Sequence, residues 1–143
     1  MSANYRFIDH NADIEVEVSG STLEELFTAS AYAWKEVVTE KSPISNSSSY
    51  PLDLAQLSPE GLLVSFLDEL NYMFQTKKWI LGRIEAITIK QEDEDWVLTA
   101  RLKGEPFSSL KHKAGVEIKA VTFHQPNIKK SGNFYSTRIV FEI

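Results

Sequence analysis

A chain of 143 residues with 20 acidic and 15 basic side chains, a net charge of −5 and no cysteine excludes disulfide scaffolds, thiolate metal cages and cysteine nucleophiles. It also has no overall field to draw in a phosphate backbone, so strong direct nucleic-acid binding is not expected. At 43% hydrophobic and 24% charged residues, the composition is that of a globular protein with a real core, and the length suits one domain over residues 1–143. No apolar run is long enough to span a bilayer and no signal region opens the chain, so a cytoplasmic address is expected, with no membrane partner.

Tyr5 to Ile8 and Ile14 to Val18 read as two strands, the second alternating apolar and acidic side chains as a half-solvated strand does. Gly20 ends that strand, and Ser21-Thr22-Leu23-Glu24 has capping-box spacing. Leu23, Leu26, Phe27, Ala31, Trp34 and Val38 then recur at helical spacing. A serine-rich connection over residues 41–49 leads to a short strand at Tyr50 to Leu54, predicted at a sheet edge because Pro51 cannot donate to a ladder. Ser58-Pro59-Glu60 opens a second helix that runs to about Gln75, with Leu62, Leu63, Phe66, Leu67, Leu70 and Met73 on one stripe. Beyond it the pattern is all strand: a hairpin from Ile84 to Leu102 around the acidic turn Glu92 to Asp95, then strands over roughly 116–124 and 134–143. The predicted class is α+β, with two amphipathic helices on one face of a mostly antiparallel, mixed sheet of about seven strands in two layers.

No phosphate-cradling glycine loop, nucleophile elbow or H-E-x-x-H motif is present, so no catalytic residues are assigned. What remains is oxygen chemistry at strand ends. Asp13 lies between two strands, where it either bonds its own turn or presents a carboxylate rigidly. The sequence stops at Glu142-Ile143, where a side-chain carboxylate and the α-carboxylate come together; hard ligands of this kind suit Ca²⁺, Mg²⁺ or Mn²⁺. Lys119 interrupts an apolar run and is either a solvated strand residue or the cation that offsets a carboxylate cluster. Lys111, Lys113, Lys129 and Lys130 would be the makings of a basic patch, and scattered surface lysines account for them equally well.

The sequence resembles the archease family, small accessory proteins of RtcB-type RNA ligases. The resemblance runs through Phe7-Ile8-Asp9-His10-Asn11-Ala12-Asp13-Ile14, Thr22 to Phe27, Leu67-Asp68-Glu69-Leu70, Gly104-Glu105-Pro106-Phe107, His112, Glu117 to His124 and the terminal Phe141-Glu142-Ile143. It implies a non-enzymatic activator that promotes guanylylation and multiple turnover of a partner ligase in tRNA splicing or RNA repair. GTP would belong to that ligase. By the same resemblance a divalent cation, Ca²⁺ first and Mg²⁺ or Mn²⁺ otherwise, would be held by Asp13, Glu142 and Ile143. Lys119 would act on the partner, and His10, Glu105 and His112 would support. Asn11 stands where the family usually has threonine, and Glu142 where it usually has aspartate, a longer and less rigid ligand. Two alternatives are a metal-dependent phosphoester hydrolase and a general chaperone-like interaction module.

Overall fold

The computed structural model describes residues 3–8, 13–40, 42–123 and 127–143. Two helices and eight strands follow in the order β1 (Asn4–Ile8), β2 (Ile14–Gly20), α1 (Leu23–Thr39), β3 (Ser48–Gln56), α2 (Pro59–Gln75), β4 (Trp79–Glu92), β5 (Asp95–Pro106), β6 (Ala120–Phe123), β7 (Lys129–Ser131) and β8 (Phe134–Glu142). The α+β class is as the sequence predicts. The strands divide, however, between two sheets in which every pair is antiparallel: β1-β2-β8-β6, with β7 also on β8, and β3-β5-β4. Periodicity reports which face of a strand is buried, not which strand lies beside it, so the division is not visible in the apolar pattern. Both helices touch both sheets, α1 resting on β1, β2, β8 and β4, and α2 on β3, β4, β5 and β6. One buried cluster therefore includes Val16 and Phe141 of the larger sheet, Trp34 and Phe66 of the helices, and Leu98 and Leu102 of the smaller sheet.

The helix starts show how local chemistry sets the boundaries. Ser58 caps α2 by accepting from the Gly61 amide at 3.0 Å, with Pro59 in the first turn, as its sequence predicts. The α1 box is shifted by one residue from the predicted Ser21 and Glu24. Thr22 is the cap and accepts from the Glu25 amide at 3.1 Å, while the Glu25 carboxylate receives the Ser21 amide at 2.9 Å. Adjacent hydroxyl residues and adjacent glutamates make both registers chemically acceptable. The packed one frees Glu24, whose Oε2 accepts from the Ile89 amide in β4 at 3.0 Å.

That bond is one of three that α1 makes to the edge of β4. Tyr32 Oη accepts from the Ile84 amide at 3.2 Å, and the Lys35 ammonium donates to the Gly82 carbonyl at 2.6 Å. Residues 24, 32 and 35 lie about two and three turns apart, so one side of the helix meets a single strand. β3 forms the opposite edge of this sheet, and Pro51 sits in it as predicted.

Between β5 and β6 the chain runs without regular structure over residues 107–119 and is strapped across the helix ends. The Phe107 amide donates to Lys78 O at 2.6 Å, the Gly115 and Val116 amides donate to Val38 O and Val37 O at 2.8 and 3.0 Å, and the Lys119 amide donates to Glu142 O at 2.7 Å. The middle pair satisfies carbonyls that the last turn of α1 would otherwise leave without partners. Gly115 is required for so close an approach, since a Cβ there would lie 2.1 Å from Val37 O. Among the described residues no helix is long and apolar enough to cross a membrane.

Candidate functional site

β8 lies between β2 and β6, so the start of β2, the end of β8 and the start of β6 meet at one end of the larger sheet. Ile14 pairs with Phe141, and Ala120 pairs with Glu142. Continuing the first register by one residue sets Asp13 beside Glu142. The Ile143 amide donates to Asp13 Oδ1 at 3.4 Å, so the Asp13 carboxylate reaches the last residue of the sequence. The Lys119 amide continues the β6–β8 ladder onto Glu142 O. Phe141 is fully buried toward the helices, and strand alternation turns Glu142 to the other face. On that face Arg6 pairs with Glu17 at 2.9 Å, and Arg138 lies 3.6 Å from Glu17 and 3.7 Å from the buried Glu15.

The structure thus brings four sequence-predicted residues, Asp13, Lys119, Glu142 and Ile143, to one place. Asp13 and Glu142 are half-buried, and Lys119 and Ile143 are exposed. The Lys119 ammonium has no carboxylate within ion-pair distance among the described residues. Nor does Lys119 sit inside a strand as its apolar flanks predict, because β6 begins one residue later, at Ala120. The reason lies in the spacing: Ile118 and Val121 are both buried, and an interval of three cannot keep two side chains on one face of a strand. Asn71 and Gln75 of α2 instead hold the Ile118 carbonyl at 2.8 and 2.9 Å, directly before the lysine.

As a donor set, two carboxylate side chains and a chain-terminal carboxylate are hard oxygen ligands that fit a divalent cation. Among the described residues no group of three or more His, Asp or Glu side chains is gathered closely enough to hold a metal ion. His10 and His124 lie outside the described residues.

Glu105 and His112 form a separate cluster at the end of β5. Both are buried, at 5% exposure each. Glu105 accepts from the Lys111 ammonium at 2.6 Å, the Ser45 amide at 2.7 Å and His112 Nε2 at 2.8 Å. His112 Nδ1 accepts from the Ser108 amide at 3.0 Å, which assigns the ring proton to Nε2, and the ring stacks on Phe107 at 5.2 Å. None of these contacts reaches Asp13, Glu142 or Lys119. Their geometry makes Glu105 and His112 a clamp on the 107–119 segment. Lys111, which in the sequence is one of several surface lysines, is the clamp's third member, and no spacing rule points to it. Lys113 pairs with Glu40 at 3.2 Å, and Lys130 lies over the Tyr135 ring.

The Glu105 carboxyl is held well below the usual carboxylate range, first by the Lys111 hydrogen bond, then by the Ser45 amide and His112. A depressed carboxyl adds stability that is fully present above its unfolded pKa of about 4.3 and is lost as pH falls toward the folded value. Thermal unfolding followed by circular dichroism should find Glu105→Gln less stable than wild type at pH 7, with the gap narrowing below about pH 4. An equal gap at pH 3 and pH 7 would show that the charge is not what this site uses.

A family model described as "Archease protein family (MTH1598/TM1083)" matches residues 5–143. "Protein archease" of Pyrobaculum neutrophilum is 34% identical, over 99% of this chain and 96% of its own length. That of Methanosarcina barkeri is 31% identical over 97% and 95%. The solution structure of Methanobacterium thermoautotrophicum protein 1598 superposes with a TM-score of 0.81 at 27% identity, covering 97% of this chain and 98% of that one. The crystal structure of a Thermotoga maritima archease, described as a possible chaperone, gives 0.59 at 25% identity over 95% and 94%. With the family model spanning nearly every residue and the two-sheet fold shared, the chain belongs to the archease family.

Proposed function

We propose that this protein is a non-enzymatic activator of an RtcB-type RNA ligase, promoting guanylylation and repeated turnover from the strand end that carries Asp13, Glu142, Ile143 and Lys119. The observation that carries the reading is the β2-β8-β6 order, which assembles these four residues from three distant parts of the sequence. Asp13, Glu142 and the Ile143 α-carboxylate would hold Ca²⁺, Mg²⁺ or Mn²⁺. Such an ion, when bound, supplies a Lewis acid for phosphate oxygens. Lys119 stands exposed beside them as a mobile cation on a fixed backbone, suited to meeting a phosphate held by the partner. The ligase supplies GTP and grips the RNA, in keeping with the net charge of −5 on this chain.

The test is a guanylylation and multiple-turnover assay of a purified ligase with wild type, Asp13→Ala and Lys119→Ala. Wild type should raise turnover, and each variant should lose most of that gain while keeping the wild-type unfolding temperature. A ligase that turns over equally with and without the wild-type protein would sink the reading. A chaperone-like role, suggested by the description of the Thermotoga maritima protein, would instead show as suppressed aggregation of unrelated clients, unaffected by Lys119→Ala.

A further inference from the structure

The outer face of the smaller sheet gathers three cations around one carboxylate. Alternation buries Leu98, Ala100 and Leu102 of β5 and turns Thr99, Arg101 and Lys103 to the other side. The pairing of β4 with β5 is irregular between Leu81 and Arg83 and again between Ile84 and Ala86, and bulges of this kind re-aim side chains. Arg83 thereby faces Lys103 and Ala86 faces Arg101, with Glu85 left over between them. Its carboxylate lies 3.9 Å from Arg83 and 3.8 Å from both Arg101 and Lys103. Three positive charges against one negative leave an excess of two, and all three distances are too long for a hydrogen bond. None of the three cationic side chains donates a hydrogen bond to the described residues. Arg83 and Arg101 are exposed, so their planar forks of N–H donors, which suit a phosphate, are unspent. Beside them lies a shallow cleft of about 260 Å³, lined by Asp53, Ala86, Thr88, Thr99 and Arg101 among others. Small side chains keep it open.

We propose that this face binds the backbone of single-stranded RNA, with phosphates on Arg83, Arg101 and Lys103 and a ribose 2′-hydroxyl donating to Asp53. The cation excess calls for an anion, but Asp53 in the same cleft repels a second one and accepts from a hydroxyl. Phosphate next to a hydroxyl donor is the chemistry of a ribonucleotide, whereas an acidic protein surface brings carboxylates alone. No described aromatic lines the cleft, so bases have nothing to stack on and the contact is independent of sequence. The net charge of −5 does not oppose it at close range, because screening confines charge effects to about 8–10 Å. The acidic turn lies farther off, since Asp95 is six residues along β5 from Arg101, roughly 20 Å. This contact needs no ligase, so its failure leaves the activator reading untouched.

The experiment is fluorescence anisotropy of a labelled oligouridylate titrated with the full chain between about 50 and 200 mM salt. Wild type should bind with log K falling against log salt at a slope near about −2, as for three neutralised phosphates on a single strand. Arg101→Gln combined with Lys103→Gln should weaken binding at least about tenfold. Glu85→Gln, which releases the three cations from their shared carboxylate, should tighten it at least about threefold. Lys129→Gln combined with Lys130→Gln removes the same charge from the other sheet and should stay within about twofold. An oligodeoxyuridylate of equal length should bind at least about threefold more weakly, and Asp53→Ala should remove that preference. The Glu85, Arg101 and Lys103 variants should unfold at the wild-type temperature, having no hydrogen bond to lose. Equal weakening by the two double variants, or no binding by wild type at the lowest salt, overturns the site. Equal affinity for RNA and DNA overturns the ribose contact. Displacement of the RNA by polyglutamate as readily as by unlabelled RNA overturns the nucleic-acid assignment in favour of an acidic protein.

Discussion

Replacing Trp34 with alanine is expected to remove about 3–5 kcal/mol of stability, the range for truncating a buried large aromatic. Domains of this kind hold only about 5–15 kcal/mol in all. Trp34 is fully buried in α1, lies 6.0 Å from the Phe74 ring in an edge arrangement, and donates its indole N–H to Asn71 Oδ1 at 2.9 Å. The cavity would therefore be accompanied by a half-buried amide oxygen without its donor. Asn71 is also the residue whose Nδ2 holds the Ile118 carbonyl, one position before Lys119. The loss should consequently spread beyond the core. Denaturant unfolding of Trp34→Ala and Trp34→Phe separates the terms, since phenylalanine keeps most of the volume while losing the N–H. Amide exchange at Lys119 should rise in both variants, because both release Asn71. A Trp34→Ala protein within about 1 kcal/mol of wild type would contradict the packing described.

A single added methyl group at Gly104 should be nearly as damaging. The glycine sits in β5 with its Cα against the bulged stretch of β4, and a Cβ there would lie 2.1 Å from Ile80 O and 2.7 Å from the Trp79 ring. The nearest obstacle is backbone, so relief requires the two strands to part. Overpacking of this sort costs about 1–3 kcal/mol and occasionally more. Ile80 is paired with Glu105, and Trp79 donates to Ser48 Oγ at 2.8 Å, so parting the strands would strain the Glu105 clamp and the β3 contact together. Gly104→Ala should unfold several degrees below wild type in a thermal scan. It should also abolish the pH-dependent gap between Glu105 and Glu105→Gln when the two changes are combined. A Gly104→Ala protein as stable as wild type would mean that β4 and β5 can separate freely at this point.

The helices were legible because an amphipathic stripe and a cap are local properties: Ser58-Pro59 identifies the start of α2 wherever the helix packs. The cap of α1 lies one residue beyond Ser21 because Ser21 and Thr22, or Glu24 and Glu25, satisfy the same rule, and only the bond from Glu24 to β4 decides between them. Lys119 lies outside β6, although apolar residues flank it, because Ile118 does not share the strand-face spacing of Val121 and Phe123. For the candidate site, Asp13, Glu142, Ile143 and Lys119 were each visible as residues, and their nearness follows from strand order, which periodicity does not encode. Glu105 and His112 are marked only by the resemblance, and Lys111 only as one of several surface lysines. A carboxylate at the end of a strand and a lysine and a histidine six and seven positions on, in the segment that follows it, obey no repeating geometry.

The three bonds from Glu24, Tyr32 and Lys35 to β4 have a consequence for how copies of this protein meet. A long outer strand with open amides and carbonyls is a template for a foreign strand, and proteins that leave one bare tend to polymerise along it. Here a helix of the same chain already occupies the amides of Ile84 and Ile89 and the carbonyl of Gly82. An incoming strand would have to strip three side chains from the seam before its own ladder could form, so α1 guards this border against fibre growth as well as closing the core.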